Sequence, residues 1–462
     1  MGLAACGSLI DYTRATRRDA PSSSMVRMGA REVWHVATHV VIDATSELTY
    51  GQFCCSTTST GEDLMTQVTA PPRSTRAAEL LELAQALKLD LRAHNEQTEA
   101  DRWIGDDLSR RLNDGGFYRM LAPERFGGAE LSLCETLEIL TTIAEGCPSA
   151  AWVAGIHNAA IWLGSLYPLA AQEELFGDSA PTVVSGTLAP LGTLTPVPGG
   201  YRISGKWGFA SGVLDATWML LGAPRPDAGD NPGPVFALVP MSSIQIHKDW
   251  DTMGLAGTGS NSVEVKDVFV PEYRIIDPVA ASAGEYPSEY ASEVPLYRAA
   301  FLPVLSAVLV CPALGATKRM LEEYLKQVPT RRIAYTIYEK AAESVVTQTR
   351  LAEAAMLIDE AQFHQDRLGA DIDKWAEGPD YMPEALRVRA RMDIGRALDL
   401  CRDAANLIFS LGGGSGIAKS NPVQRLFRDV QASNSHPLQM ATVQYEVYGR
   451  QMLGQPQITS FI

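Results

Sequence analysis

Two histidines, two arginines and two glycine-rich turns are the parts of this chain best suited to chemistry. His157 sits within AAWVAGIHNAAIW, and His436 ends the segment NPVQRLFRDVQASNSH. A neutral imidazole changes charge near physiological pH and can act as a general base, but a lone histidine on an apolar helix is as readily a hydrogen-bonded core residue. His94, His247 and His364 read as surface or strand-end residues. Arg425 and Arg428 lie three apart, just ahead of Asp429, a spacing that suits either phosphate binding or a salt-bridged helix face. The turn LGGGSG, Leu411–Gly416, lets backbone approach a ligand closely. Its continuation GGSGIAKS looks like a phosphate loop, yet Ala418 stands where that motif needs glycine, and a helix rather than a strand precedes it. GLAGTG, Gly254–Gly259, fails as a dinucleotide fingerprint because a strand follows it. The seven cysteines contain no Cys-x-x-Cys pair and none lies near a histidine at zinc spacing, so no metal site is expected.

Three kinds of segment must hold these residues. Residues 76–115 carry Leu80, Leu81, Ala84, Leu87, Leu91, Leu108 and Leu112 at helical spacing, until Asp114, Gly115 and Gly116 stop the run. Further helices are expected over Leu131–Gly146 and Ser149–Tyr167. Near Pro181 the pattern changes to short β-rich runs such as TVVSGTLA, TWMLLGA and PVFALVP, divided by Gly, Pro and Asp. About six or seven strands of this kind make a small barrel or sandwich. Helical periodicity returns over residues 296–327, 340–369, 384–411 and 422–453, as in a four-helix bundle. The expected fold class is α+β: an N-terminal helical domain at 76–180, a middle β-barrel or sandwich domain at 181–290, and a C-terminal four-helix bundle at 291–462, behind a leader at 1–75. Residues 1–64 lack helical period and secretory features, while Met65 opens an ordinary polar start, so they are expected to be a start-site overcall or a disordered extension.

The motifs gain meaning from their order. SGTLAPLG (Ser185–Gly192) with GGYRISGKWGFASG (Gly199–Gly212), then WDTMGLAGTGSNSVEVKDVFVP (Trp250–Pro271), then LGGGSG with NPVQRLFRDVQASNSH fall on β, β and helical segments in turn. In that order the chain resembles the acyl-CoA dehydrogenase superfamily over residues 76–453, and within it the group D two-component flavin-dependent monooxygenases. The resemblance implies a flavin wall built from the first motif. Thr187 takes a place contacting the flavin, Ser211 one near its N5 and O4 edge, and Trp207 with Phe209 one strand face flanking the ring. It also implies that Gly412, Gly413 and Gly414 approach the flavin's phosphate-bearing chain across a subunit interface, with Arg425 as a phosphate ligand.

The same resemblance separates two activities. The family's dehydrogenases need a carboxylate base to remove a proton next to a thioester, yet Gln431–Met440 contains none, and neither does PLYRAAFLPV. His436 stands there instead, and His157 matches a second position that is often histidine in the monooxygenase branch. The expected function is hydroxylation of a small aromatic or polycyclic phenol by reduced flavin (FMNH2 or FADH2) and O2, through a flavin C4a-hydroperoxide. His436, Ser211 and His157 are the catalytic candidates. No nicotinamide-binding motif is found, so a separate flavin reductase is implied, as is a homotetramer. Alternatives are N-oxygenation of an amino sugar, a dehydrogenase with a displaced base, and a non-catalytic flavin-binding protein.

Bulk properties narrow the partners. A net charge of -15 leaves no basic footprint for nucleic acid. Ala299–Thr317 carries no charge, but Pro303, Ser306, Pro312 and Gly315 interrupt it, so a buried bundle helix is expected rather than a membrane span. The scattered cysteines of so large a chain suggest a reducing cytoplasm.

Overall fold

Helix α1 (Thr75–Asp101) begins where the Ser74 hydroxyl accepts from the Ala77 N–H at 3.2 Å. The computed structural model of the protein describes residues 73–177, 181–226, 233–459 and 461–462, all within one unit. The reading of residues 1–64 lies outside the described residues, as does the 1–75 leader up to residue 72. The expected single helix over 76–115 is two. Arg102 adopts φ 57 and Gly105 φ 86, turning the chain before α2 (Asp106–Asp114). Trp103, in this break, forms an isolated bridge with Thr258 and ties the GLAGTG loop to the first helices.

Helix α3 (Leu133–Gly146) carries a capping box between Ser132 and Glu135. Helix α4 (Pro148–Gly164) starts with proline, and every residue in it except Ile156 is buried. A short α5 (Leu169–Phe176) leads into the β region.

Eight strands follow: β1 (Val184–Thr187), β2 (Thr193–Val197), β3 (Gly200–Ala210), β4 (Trp218–Pro224), β5 (Pro234–Pro240), β6 (Gln245–His247), β7 (Asn261–Pro271) and the two-residue β8 (Ile275–Ile276). They form two four-stranded sheets, β1-β4-β5-β8 and β2-β3-β7-β6, with β1 parallel to β4. The first sheet is covered on both sides. Met219 and Leu221 of β4 and Val235, Ala237 and Val239 of β5 enter the core between sheets, whereas Leu220, Phe236 and Leu238 join the helical core. Burial on both faces explains why these two strands read as continuous apolar runs without polar alternation.

The C-terminal region holds α6 (Pro278–Ser282), α7 (Phe301–Ala307), α8 (Cys311–Gln327), α9 (Val345–Glu377), α10 (Glu384–Leu411), α11 (Pro422–Ser433) and α12 (Ala441–Met452). The uncharged stretch Ala299–Thr317 makes α7 and the first half of α8, and all of it is buried in the protein interior. The run expected over 422–453 is broken into α11 and α12 by Asn434–Met440. Pro437 lacks the N–H that would continue the helix, and it leads a 3-10 turn, Pro437–Gln439. His436 sits in that break.

Candidate active site

The end of β3 is bent. Register with β7 shifts between Trp207 and Ala210, Phe209 adopts φ 60, and Gly212 φ 69. This kink points Ser211 and Gly212 at α4. The Ser211 hydroxyl accepts from the Trp152 indole N–H at 3.0 Å and shares a 2.7 Å hydrogen bond with Ser260. Ser260 shares another, also 2.7 Å, with Thr258, whose hydroxyl donates to the Leu255 carbonyl at 2.9 Å. Backbone bonds brace this ladder: Gly212 N–H donates to the Thr258 carbonyl at 3.0 Å, and Ser185 Oγ donates to the Ser211 carbonyl at 2.6 Å. The far end is fixed by α11, where the Asp429 carboxylate accepts from Leu255 N–H at 2.6 Å and Arg428 donates to the Met253 carbonyl. Burial pushes Asp429 up to about 7.

Both histidine candidates lie beside this ladder. His157 is fully buried, with Nδ1 at 2.8 Å from the Val184 carbonyl. A carbonyl only accepts, so Nδ1 carries the proton and Nε2 presents a lone pair, which has no partner among the described residues. A Cβ at Gly212 would lie 2.7 Å from that Nε2, and the Tyr118 ring packs against the imidazole at 4.5 Å. His436 has the opposite proton arrangement. Its Nδ1 accepts from Leu438 N–H at 3.3 Å, placing its hydrogen on Nε2. Burial lowers both imidazoles to about 4, so both are neutral near pH 7. Trp152 joins the two parts of the site: its N–H holds Ser211 and its ring meets the His436 ring edge-on at 5.7 Å.

Other expected residues are placed differently. Trp207 is fully buried between the sheets, its N–H donating to the Gly222 carbonyl at 2.8 Å, while Phe209 is 75% exposed. The two do not share a face, because the bulge and the left-handed Phe209 interrupt the alternation. Trp207 is a core residue. Arg425, open to two readings, is engaged in an ion pair with Glu99 at 2.7 Å, and Arg428 binds the same carboxylate at 2.6 Å. Thr187 donates to the Gly208 carbonyl at 3.2 Å, joining β1 to β3. Gly412, Gly413 and Gly414 end α10 away from the ladder, with Arg331 donating to the Gly412 carbonyl and φ 50 at Gly413. Trp152 and Ser185 carry no signal of their own in the sequence, whereas Thr258 and Ser260 read there as hydroxyls that either donate hydrogen bonds beside the flavin or serve the loop alone. The motif segments contain all four, but a hydroxyl ladder across three elements has no local spacing to reveal it.

Family models for the acyl-CoA dehydrogenase N-terminal domain and C-terminal domain match residues 81–174 and 307–440. The chain is 31% identical to the flavin-dependent monooxygenase oxygenase subunit HsaA of Rhodococcus jostii, over 80% of this chain and 97% of that one. It is 32% identical to the FADH2-dependent resorcinol hydroxylase oxygenase component of a Rhizobium species, over 79% and 91%. The chain belongs to the flavin-dependent monooxygenases of the acyl-CoA dehydrogenase superfamily. The structure of XiaF from a Streptomyces species, in complex with FADH2 and glycerol, superposes with TM-score 0.78 at 29% identity, covering 83% of this chain and 97% of that one.

The protein is thus an oxygenase component that uses reduced flavin, acts on a small molecule and depends on a separate source of reducing equivalents. Its residues fit such a cofactor. Ser211 offers a buried hydroxyl, His157 an imidazole nitrogen without a partner, and Phe209 a bare aromatic ring against the edge of Trp250 at 5.7 Å.

Proposed function

We propose that this monooxygenase hydroxylates an aromatic small molecule carrying an ionisable phenol. The observation that carries the reading is the pairing of His436 with Ser211 through Trp152, in a site where the nearest preceding carboxylate, Asp429, is tied to a backbone N–H. Reduced flavin, FMNH2 or FADH2, supplies the electrons that activate O2. Ser211 and Thr187 would hold its ring, and the turn Gly412–Gly414 would meet the phosphate-bearing chain of a flavin in a neighbouring subunit. His436 takes the phenolic proton, raising electron density on the ring to be attacked. Nε2 can take it only in the tautomer that carries its hydrogen on Nδ1, so that hydrogen must move from Nε2 and Nδ1 must give up the bond from Leu438 N–H, which at 3.3 Å is long and weak. His157 contributes a fixed acceptor. Helix α4, buried at every residue but Ile156, backs the site and excludes water on that side.

We further assign the protein to the cytoplasm as a homotetramer served by a flavin reductase. Supporting the oligomer, α9 leaves Val345, Met356 and Phe363 bare on one side.

The test is a panel of phenols, each matched with its O-methyl ether, supplied with a flavin reductase, NADH and FAD or FMN, with products resolved by mass spectrometry. A gain of one oxygen atom on phenols alone is expected, with His436→Ala slowing it about 100-fold while anaerobic binding of reduced flavin stays within about twofold. Equal turnover of phenol and ether, or bleaching of bound flavin by an acyl-CoA, would overturn the reading.

A further inference from the structure

The hydroxyl ladder has a direction, and the direction determines what Ser211 can offer a ligand. Each hydroxyl has one proton and two lone pairs. Thr258 gives its proton to the Leu255 carbonyl, so in the 2.7 Å bond to Ser260 it must accept. Ser260 therefore donates to Thr258 and must accept from Ser211 in the next 2.7 Å bond. Ser211 has then given its only proton to Ser260, and one of its lone pairs already holds the Trp152 N–H. A single lone pair is left. The ladder turns Ser211, a residue type that normally donates or accepts, into an acceptor.

We propose that Thr258 and Ser260 are specificity-determining residues that make the site select reduced over oxidised flavin. The inference rests on the placement of Ser211 at the flavin N5 edge, given above. Reduced isoalloxazine carries a hydrogen on N5 and donates it; oxidised isoalloxazine has only a lone pair there. An acceptor-only Ser211 binds the first and faces the second lone pair to lone pair. To donate to oxidised flavin Ser211 must give up its bond to Ser260, and keeping every bond by reversing the ladder would require Thr258 to abandon the Leu255 carbonyl. That carbonyl is held in place, since Leu255 adopts φ 50 and its N–H is bound by buried Asp429 at 2.6 Å. The bias is the worth of one buried hydrogen bond, a factor of about ten in relative affinity. It lets spent flavin leave without a conformational change, as a protein taking reduced flavin as a co-substrate requires.

Two substitutions release Ser211 by different routes. Ser260→Ala removes its acceptor, and Thr258→Val removes the group that orients Ser260 while nearly preserving shape. Dissociation constants for FAD and, under anaerobic conditions, for FADH2 are measured by equilibrium dialysis for the wild type and both variants. In each variant the preference for FADH2 should narrow about tenfold, chiefly through tighter FAD binding, with the thermal midpoint showing that the fold is intact. A preference unchanged in both variants would overturn the inference and leave the monooxygenase reading standing. Failure of the wild type to bind FADH2 more tightly than FAD would remove the reading as well. Ser211→Ala is the control: it should lose FADH2 affinity and gain none for FAD.

Discussion

A buried imidazole with one proton and one unpartnered nitrogen is a pH-dependent liability, and at His157 its sign can be worked out. Burial lowers the folded pKa from 6.5 to about 4. Between those values the unfolded chain binds a proton that the folded one refuses, so stability falls as pH drops from about 6.5 towards 4. Asp429, raised to about 7, and Asp215, raised to about 6 by its own burial, act oppositely, because the folded state binds their protons first. They are common to wild type and variant and cancel in the difference. Relative to His157→Gln, the wild type should therefore lose up to about 3 kcal/mol of stability between pH 7 and pH 4. Urea unfolding of both proteins at the two pH values measures this, and parallel losses would show that His157 is not held neutral. At this scale sequence was a partial guide. The histidines could be picked out as titratable groups, but the tautomer of His157 depends on the Val184 carbonyl, 27 residues away, and that of His436 on the turn that brings the Leu438 N–H back to it.

Elements set which side chains meet, and the bend at the end of β3 is the decisive one. Gly212 combines φ 69 with a Cβ position 2.7 Å from His157 Cε1 and Nε2 and 3.1 Å from Val153. Gly199 has φ 81, but none of the described residues comes within 4 Å of its Cβ position. Gly199→Ala should thus cost about 1 kcal/mol from backbone strain alone, and Gly212→Ala about 3 kcal/mol, the excess being the clash with α4. Chemical denaturation separates the two; equal losses would mean that the strand end is not packed against His157. The helices were legible because their apolar period survives in the sequence, and most strands because they are short β-rich runs set between Gly, Pro and Asp. What escaped was irregular: the bulge that separates Trp207 from Phe209, and the proline-led break that puts His436 between α11 and α12. Both are departures from periodicity, and both shape the site.

At the scale of the whole molecule, three motifs falling in turn on β, β and helical segments, within the helical, β and helical order of the chain, pointed to the superfamily, whereas contacts between copies leave only indirect marks. One mark is on α9. Val345 and Met356 lie about three turns apart, and Met356 and Phe363 about two, so the three fall along one line of the helix. Met356 is 64% exposed and Phe363 53%, which is unusual for large apolar side chains unless another surface covers them. A chain with net charge -15 also repels its own copies, so assembly needs apolar faces of this kind. Replacing both residues, Met356→Glu with Phe363→Glu, adds charge where a partner would sit but strains nothing inside the protomer. The expected outcome by light scattering is a tetramer for the wild type and a smaller species for the variant, at a thermal midpoint within a few degrees. A wild-type monomer, or a variant of unchanged mass, would remove α9 from the assembly. The flavin then gives a second reading of the same samples. If the turn Gly412–Gly414 serves a flavin in the neighbouring subunit, disassembly must weaken reduced-flavin binding even though Ser211, Trp152 and His436 are untouched. A dissociated variant that binds reduced flavin as tightly as the wild type would place the whole cofactor site within one chain.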